Sequence, residues 1–206
     1  MRLTRLNTTL CLSSVVLGWL LILGVKCAAS QERFYQTKLA TIYYNKEEQL
    51  EEFAKKIRPG SLTRVLNKIF LGKNAKCSDG ELGESVDTLF RRVQLALDMR
   101  QPKLRVNIRL HANQKSLHRA YVDIIGGSSA EAVGQTGRKN STGPIAFYRK
   151  ETNTIHLQPE KLTIGVLAHE MGHATIDHYF VIRPPPKIAE MLCQYVDKEI
   201  SADNFR

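Results

Sequence analysis

The run His169-Glu170-Met171-Gly172-His173 constrains this chain more than any other feature, because it asks for a helix with two unlike faces. Residues four apart differ by about 40° around an α-helix, so both imidazoles project to one side. With Met171 set at zero on a helical wheel, Ile164, Leu167, Ala168, Ala174 and Thr175 fall within about 60° of it. His169 and His173 fall at about 160° and about 200°. An apolar stripe thus faces a core while the histidine pair faces away from it. Val166 and Ile176 flank the pair, which suits a helix between two layers rather than one facing open water. Thr163 is placed to cap this helix, predicted over residues 164–179.

The spacing has a chemical meaning. Two neutral imidazoles at i and i+4 can take neighbouring positions on a tetrahedral Zn2+ ion. Glu170, turned about 100° from His169, sits near such an ion but off the ligand axis, where a carboxylate can take a proton from water. The plainer readings are two satisfied core histidines, or a solvated pair on a surface helix. Opposition to the apolar stripe weakens the first, and the flanking Val166 and Ile176 weaken the second. A catalytic zinc site needs a third protein ligand. The extended metzincin pattern would put Gly and His where this chain has Ile176 and Tyr179. His178 lies five residues beyond His173, about 7.5 Å further along the axis, which leaves it a supporting role at most.

Around this helix the chain reads as one α+β domain with no internal repeat. Residues 39–44 (LATIYY) form a short strand, and residues 46–57 an amphipathic helix with Leu50, Phe53, Ala54 and Ile57 on one face. A second short helix is predicted at 62–71, a polar loop at 73–83 and a helix at 84–99. Residues 104–111 (LRVNIRLH) alternate apolar and polar and form a half-buried strand. Residues 113–121 read as helix, and the Gly-, Ser- and Thr-rich stretch 126–143 as an exposed loop with no phosphate-binding signature. Residues 144–149 and 154–158, joined by the polar turn KETN, form a hairpin. After Arg183-Pro184-Pro185-Pro186 a last helix covers 187–200.

The N-terminus belongs to a different category. Arg2 and Arg5 precede an uncharged run at 10–25, and small residues follow Lys26. This is the pattern of a secretory signal peptide, with cleavage expected after Ala29; the alternative is an uncleaved inner-membrane anchor formed by residues 10–25. The expected location is therefore exported, periplasmic or secreted. Removing Arg2, Arg5 and Lys26 takes the formal charge from +10 to +7, and leaves Cys77 and Cys193 of the four cysteines. Those two either form one disulfide or stay as small unpaired hydrophobes. Residues 55–76 hold seven basic residues and no acid, a patch for an anionic membrane surface or simply a solvated face. No nucleic-acid motif accompanies it, so nucleic acid is not an expected partner.

The last helix carries a resemblance. Residues 188–197 (IAEMLCQYVD) resemble the ligand helix of gluzincin metallopeptidases, specifically the bacterial peptidase-MA-like group. The hairpin Ile145-Ala146-Phe147-Tyr148, turn, Thr154-Ile155-His156-Leu157 is similar to the edge-strand hairpin of thermolysin-like folds. Residues 41–44 with the acidic helix behind them look like the start of such a domain. The resemblance implies a zincin-like fold, with a small mixed sheet and its edge-strand hairpin packed on the histidine helix. It implies Glu190 as third zinc ligand and Glu170 as general base of a zinc-dependent peptide hydrolase. Read from the residues alone, Ile188, Leu192, Tyr195 and Val196 make the apolar stripe of this helix, with Glu190, Gln194 and Asp197 opposite, either lining a cleft or wet. Gluzincins often place an acid four residues after the ligand glutamate to orient a histidine; here that residue is Gln194, and Asp177 or Asp197 are the substitutes. Tyr179, Tyr195, His178 and His156 are the candidates for stabilising a tetrahedral oxyanion, Tyr195 being equally readable as a core aromatic. Ile145, Ala146, Phe147 and Tyr148 would bind an extended peptide substrate by strand addition, if that strand is a free edge. The alternatives are a non-catalytic metal- or peptide-binding module of the cell envelope, and a membrane-surface binder acting through residues 55–76.

Overall fold

The computed structural model describes residues 32–57, 79–101, 103–125 and 143–203. The N-terminal address, the helix expected at 62–71, Cys77, most of the basic stretch and nearly all of the Gly-rich loop lie outside the described residues. Among the described residues no helix is long and apolar enough to cross a membrane.

The protein is α+β, with one five-stranded mixed sheet and five α-helices among the described residues. Strand β1 (Arg33–Gln36) leads into β2 (Ala40–Tyr44) and helix α1 (Glu47–Ile57). Helix α2 (Asp79–Ala96), β3 (Val106–Leu110) and α3 (Gln114–Ile125) follow. The hairpin β4 (Ala146–Arg149) and β5 (Thr154–Leu157) precedes a 3-10 turn at Pro159–Lys161, then α4 (Ile164–Tyr179) and α5 (Pro186–Asp203). The strand order is β1-β2-β3-β5-β4. The inner strands β2, β3 and β5 run parallel, and each outer strand is antiparallel to its neighbour.

Alternation along the strands divides the sheet into two faces. Ala40, Ile42, Val106, Ile108, Ile155, Leu157 and Ala146 share one face and join Phe53, Phe90, Leu167 and Met171 in the main core. Register accounts for this, since Ile42, Ile108 and Ile155 lie side by side across three strands. The hairpin turn expected from KETN is present. Asn153 closes it at φ 48°, a left-handed conformation that asparagine tolerates better than most residues.

Two expectations change. β1 was not foreseen, because it has only four residues and is largely exposed. Helix α2 begins at Asp79, inside the predicted loop 73–83. Tertiary contacts outweigh the poor helix propensity of Gly80 and Gly83. Leu82 is buried, a side chain at Gly83 would meet the Tyr35 hydroxyl, and buried Asp87 accepts bonds from Thr37 Oγ1 (2.7 Å) and the Leu39 N–H (3.0 Å). The β1–β2 turn is thereby tied to α2.

On the other face of the sheet, rings form a continuous stack. Tyr121 of α3 meets Phe147 edge-on at 5.3 Å, Phe147 stacks on His156 at 4.7 Å, and His156 on His111 at 5.4 Å. His111 Nε2 and His156 Nδ1 are 3.1 Å apart and share one proton as a hydrogen bond. Burial, with Arg109 nearby, lowers the pKa of His111 to about 4. Burial also lowers His156 to about 4, aided by His111, Arg109 and Arg149. The unfolded chain therefore binds more protons than the folded one between pH 4 and about 6.5. Stability from this pair is complete above about pH 6.5 and is lost as pH falls toward 4. Urea midpoints should drop across that window, and His156→Gln with His111→Gln should flatten the dependence; an unchanged slope would remove the pair as its cause.

Candidate metal centre

Helix α4 holds the histidine pair in the predicted span, and Thr163 caps it, its side chain accepting from the Val166 N–H at 3.2 Å. Leu167, Ala168, Met171 and Ala174 are buried in the core, as the wheel required. His169 and His173 are half-buried, with ring centroids 5.0 Å apart.

Helix α5 lies against α4 along small residues. A Cβ built on Gly172 would stand 3.1 Å from Cys193 Sγ and 3.6 Å from the Cys193 Cα. A Cβ on Gly165 would collide with Asp197 Oδ1 and Ser201 Oγ. The face that α5 buries is Ala189, Cys193, Val196 and Ile200. This corrects part of the stripe read from its sequence: Val196 is buried and Leu192 packs against the core, but Ile188 and Tyr195 are 45% and 49% exposed. Short side chains, Cys193, Asp197 and Ser201, stand opposite the α4 glycines and permit the close backbone approach.

The rotation carries Glu190 to the histidines. Glu190 Oε2 lies 3.6 Å from His169 Nε2 and 3.5 Å from His173 Nε2. These separations exceed ordinary hydrogen bonds. They match the edges of a tetrahedron around zinc, which for bonds of about 2.0–2.1 Å are about 3.3–3.5 Å. Gln194 Nε2 donates to Glu190 Oε1 at 3.2 Å, so the residue standing where an acid was expected orients the carboxylate itself. Burial, and His169 beside it, lower the pKa of His173 to about 4 and keep it neutral, the form that binds metal. The donor set and its spacing fit a zinc ion.

Cys193, one helical turn beyond Glu190, belongs to the same cluster. Its Sγ and one nitrogen from each of His169 and His173 all lie within 4.8 Å of one another. It is a buried free thiol, so the disulfide reading finds no support at this cysteine. Burial, with Glu170 and Glu190 close by, pushes the thiol pKa up. Sequence reasoning treated Cys193 only as a disulfide partner or a hydrophobe. No local sequence signal places it there, because its seat opposite Gly172 comes from the packing of α5 on α4.

Glu170 points toward the sheet. It is buried, and its carboxylate accepts a hydrogen bond from the Tyr148 main-chain N–H on β4. Desolvation raises its pKa to about 8, Glu190 adding and the Tyr148 bond opposing. β4 is an outer strand of the sheet. The Gln158 N–H donates to the Ile145 carbonyl, so Ile145, Phe147 and Arg149 turn their main-chain groups toward β5, and Ala146 and Tyr148 turn theirs outward. The β4 edge and α5 therefore flank the histidine face of α4. Ile145 itself stands just before the strand and is partly exposed.

The other candidates are placed elsewhere. His178 Nδ1 bonds the Ala174 carbonyl at 2.9 Å, one turn back, and five residues rotate it about 140° from His173. Tyr179 is 44% exposed with its ring against Phe180, and Tyr195 is on the outer side of α5 rather than in the core. His156 is in the stack on the far face of the sheet. Asp177 is buried, with Arg183 Nε 2.8 Å from Oδ1, and Asp197 accepts from Ser201 Oγ. Neither satisfies His173 Nδ1, which is buried without a partner among the described residues.

No protein-family model, curated protein or solved structure matches the chain. Gly172→Val should push α5 away at Cys193, cost about 1–3 kcal/mol of stability and weaken metal binding, as read by urea denaturation and metal titration. Unchanged metal affinity would show that the close helix contact does not set the Glu190 position.

Proposed function

We propose that this chain is a zinc-dependent peptidase with a zincin-like, gluzincin-type arrangement, acting outside the cytoplasm on peptide or protein substrates. The observation that carries this reading is Glu190 Oε2, within 3.6 Å of Nε2 of both histidines, beside a buried Glu170. His169, His173 and Glu190 would hold the ion. Zinc, when bound, supplies a Lewis acid that polarises a carbonyl and makes water acidic near neutral pH.

The chain's own groups supply the rest. An extended peptide lies along β4 and pairs with the outward main-chain groups of Ala146 and the outward carbonyl of Tyr148, the Tyr148 N–H being held by Glu170. Glu170 takes a proton from the attacking water and returns it to the departing amine nitrogen. The Tyr148 N–H fixes the carboxylate that does this, while burial raises its affinity for the proton. One observation favours a second reading, a non-catalytic metal-binding module: with Cys193 the site offers four protein donors, enough to close it.

Turnover separates the two. Glu170→Gln should keep about one zinc per chain and lower peptide hydrolysis by about 100-fold or more, whereas His169→Ala should lose the metal itself. Stoichiometric zinc with no cleavage of a peptide library would favour the binding module. Zinc content that His169→Ala leaves unchanged would overturn both.

A further inference from the structure

We propose that Cys193 is an alternative third ligand at this centre, so that the site sorts metals by softness: Glu190 serves zinc, and Cys193 captures thiophilic ions of the Cd2+ type. This rests on the reading that His169 and His173 hold a metal.

Glu190 and Cys193 are three residues apart on α5, about 60° apart around its axis, and both reach the histidine pair. They differ in depth and chemistry. The Glu190 side chain is 40% exposed at the rim, while Cys193 is fully buried where Gly172 makes room for its sulfur. A carboxylate oxygen is a hard donor and a thiolate a soft one, and softness selects among divalent ions that share the same imidazoles. The three donors of the His169–His173–Cys193 set lie within 4.8 Å of one another, close enough for one ion to reach all of them. On binding, the sulfur–proton bond breaks, a sulfur–metal bond forms and the proton passes to solvent, with no change of oxidation state.

The metal-free full-length protein, titrated with Cd2+ alone, tests this. Thiolate-to-cadmium absorption should develop at one equivalent in the wild type and in Glu190→Gln, and be absent in Cys193→Ala and Cys193→Ser. Comparing variants corrects for the other cysteines, and circular dichroism checks each fold. The preference for Cd2+ over Zn2+ should fall at least about tenfold in Cys193→Ala. X-ray absorption of the wild-type Cd2+ protein, which needs no variant, should show a sulfur neighbour. Absorption that persists in both Cys193 variants, its loss in Glu190→Gln, or a cadmium shell without sulfur would overturn the inference. If zinc binds through His169 but no cadmium signal depends on Cys193, this inference fails and the metal reading stands. If that signal is found without zinc-dependent hydrolysis, the peptidase reading fails and this one stands.

Discussion

The close approach of α4 and α5 governs the rest of the candidate site. Gly165 and Gly172 on one helix meet Asp197, Ser201 and Cys193 on the other; a Cβ at Gly165 would collide with Asp197 and Ser201, and one at Gly172 would stand 3.1 Å from Cys193 Sγ. Glycine within a helix costs about 1 kcal/mol against alanine. Here it brings a carboxylate and a thiol from α5 to imidazoles on α4. Had α5 turned Ile188 and Tyr195 inward instead, Glu190 would have turned away from the histidines. The same contact leaves those two side chains partly exposed on the outside of the helix.

The sheet supplies the opposite wall. Glu170 is taken out of water between α4 and β4, where one main-chain N–H meets its carboxylate. Burial disfavours the charged form, and the hydrogen bond partly restores it. That balance suits a group that must both accept and release a proton. It depends on β4 being an outer strand, because an inner strand would have spent the Tyr148 N–H on its neighbour.

The supporting groups differ from a simple ligand-and-acid scheme. Gln194 orients Glu190, Arg183 pairs with Asp177, and His173 Nδ1 has no partner among the described residues. Partners to a ligating imidazole tune its orientation and basicity. If these histidines hold a metal, that control would rest on packing and on Glu190 rather than on a carboxylate behind the ring. The Arg183–Asp177 contact instead joins the end of α4 to the segment leading into α5.

Much of this was legible in the sequence. Periodicity placed α4 to the residue, the hairpin turn chemistry placed β4 and β5, and alternation placed β3, because each signal is local and repeats along the chain. The histidine pair and its neighbouring glutamate follow from helix geometry alone. Three things were not fully legible. The buried face of α5 is only partly readable: Val196 is on it as expected, but Ala189, Cys193 and Ile200 replace Ile188 and Tyr195, a choice made by the glycines of another helix. The start of α2 was misplaced, because Gly83 and Asp87 meet residues about fifty positions away. The bond from Tyr148 to Glu170, and the arrival of Cys193 beside the histidines, leave no local pattern at all. The sequence by itself determined which helix presents two imidazoles and a carboxylate. Only the tertiary structure decided which further donors reach them, because that depends on how closely two helices approach, a property of surfaces from distant parts of the chain rather than of either segment alone.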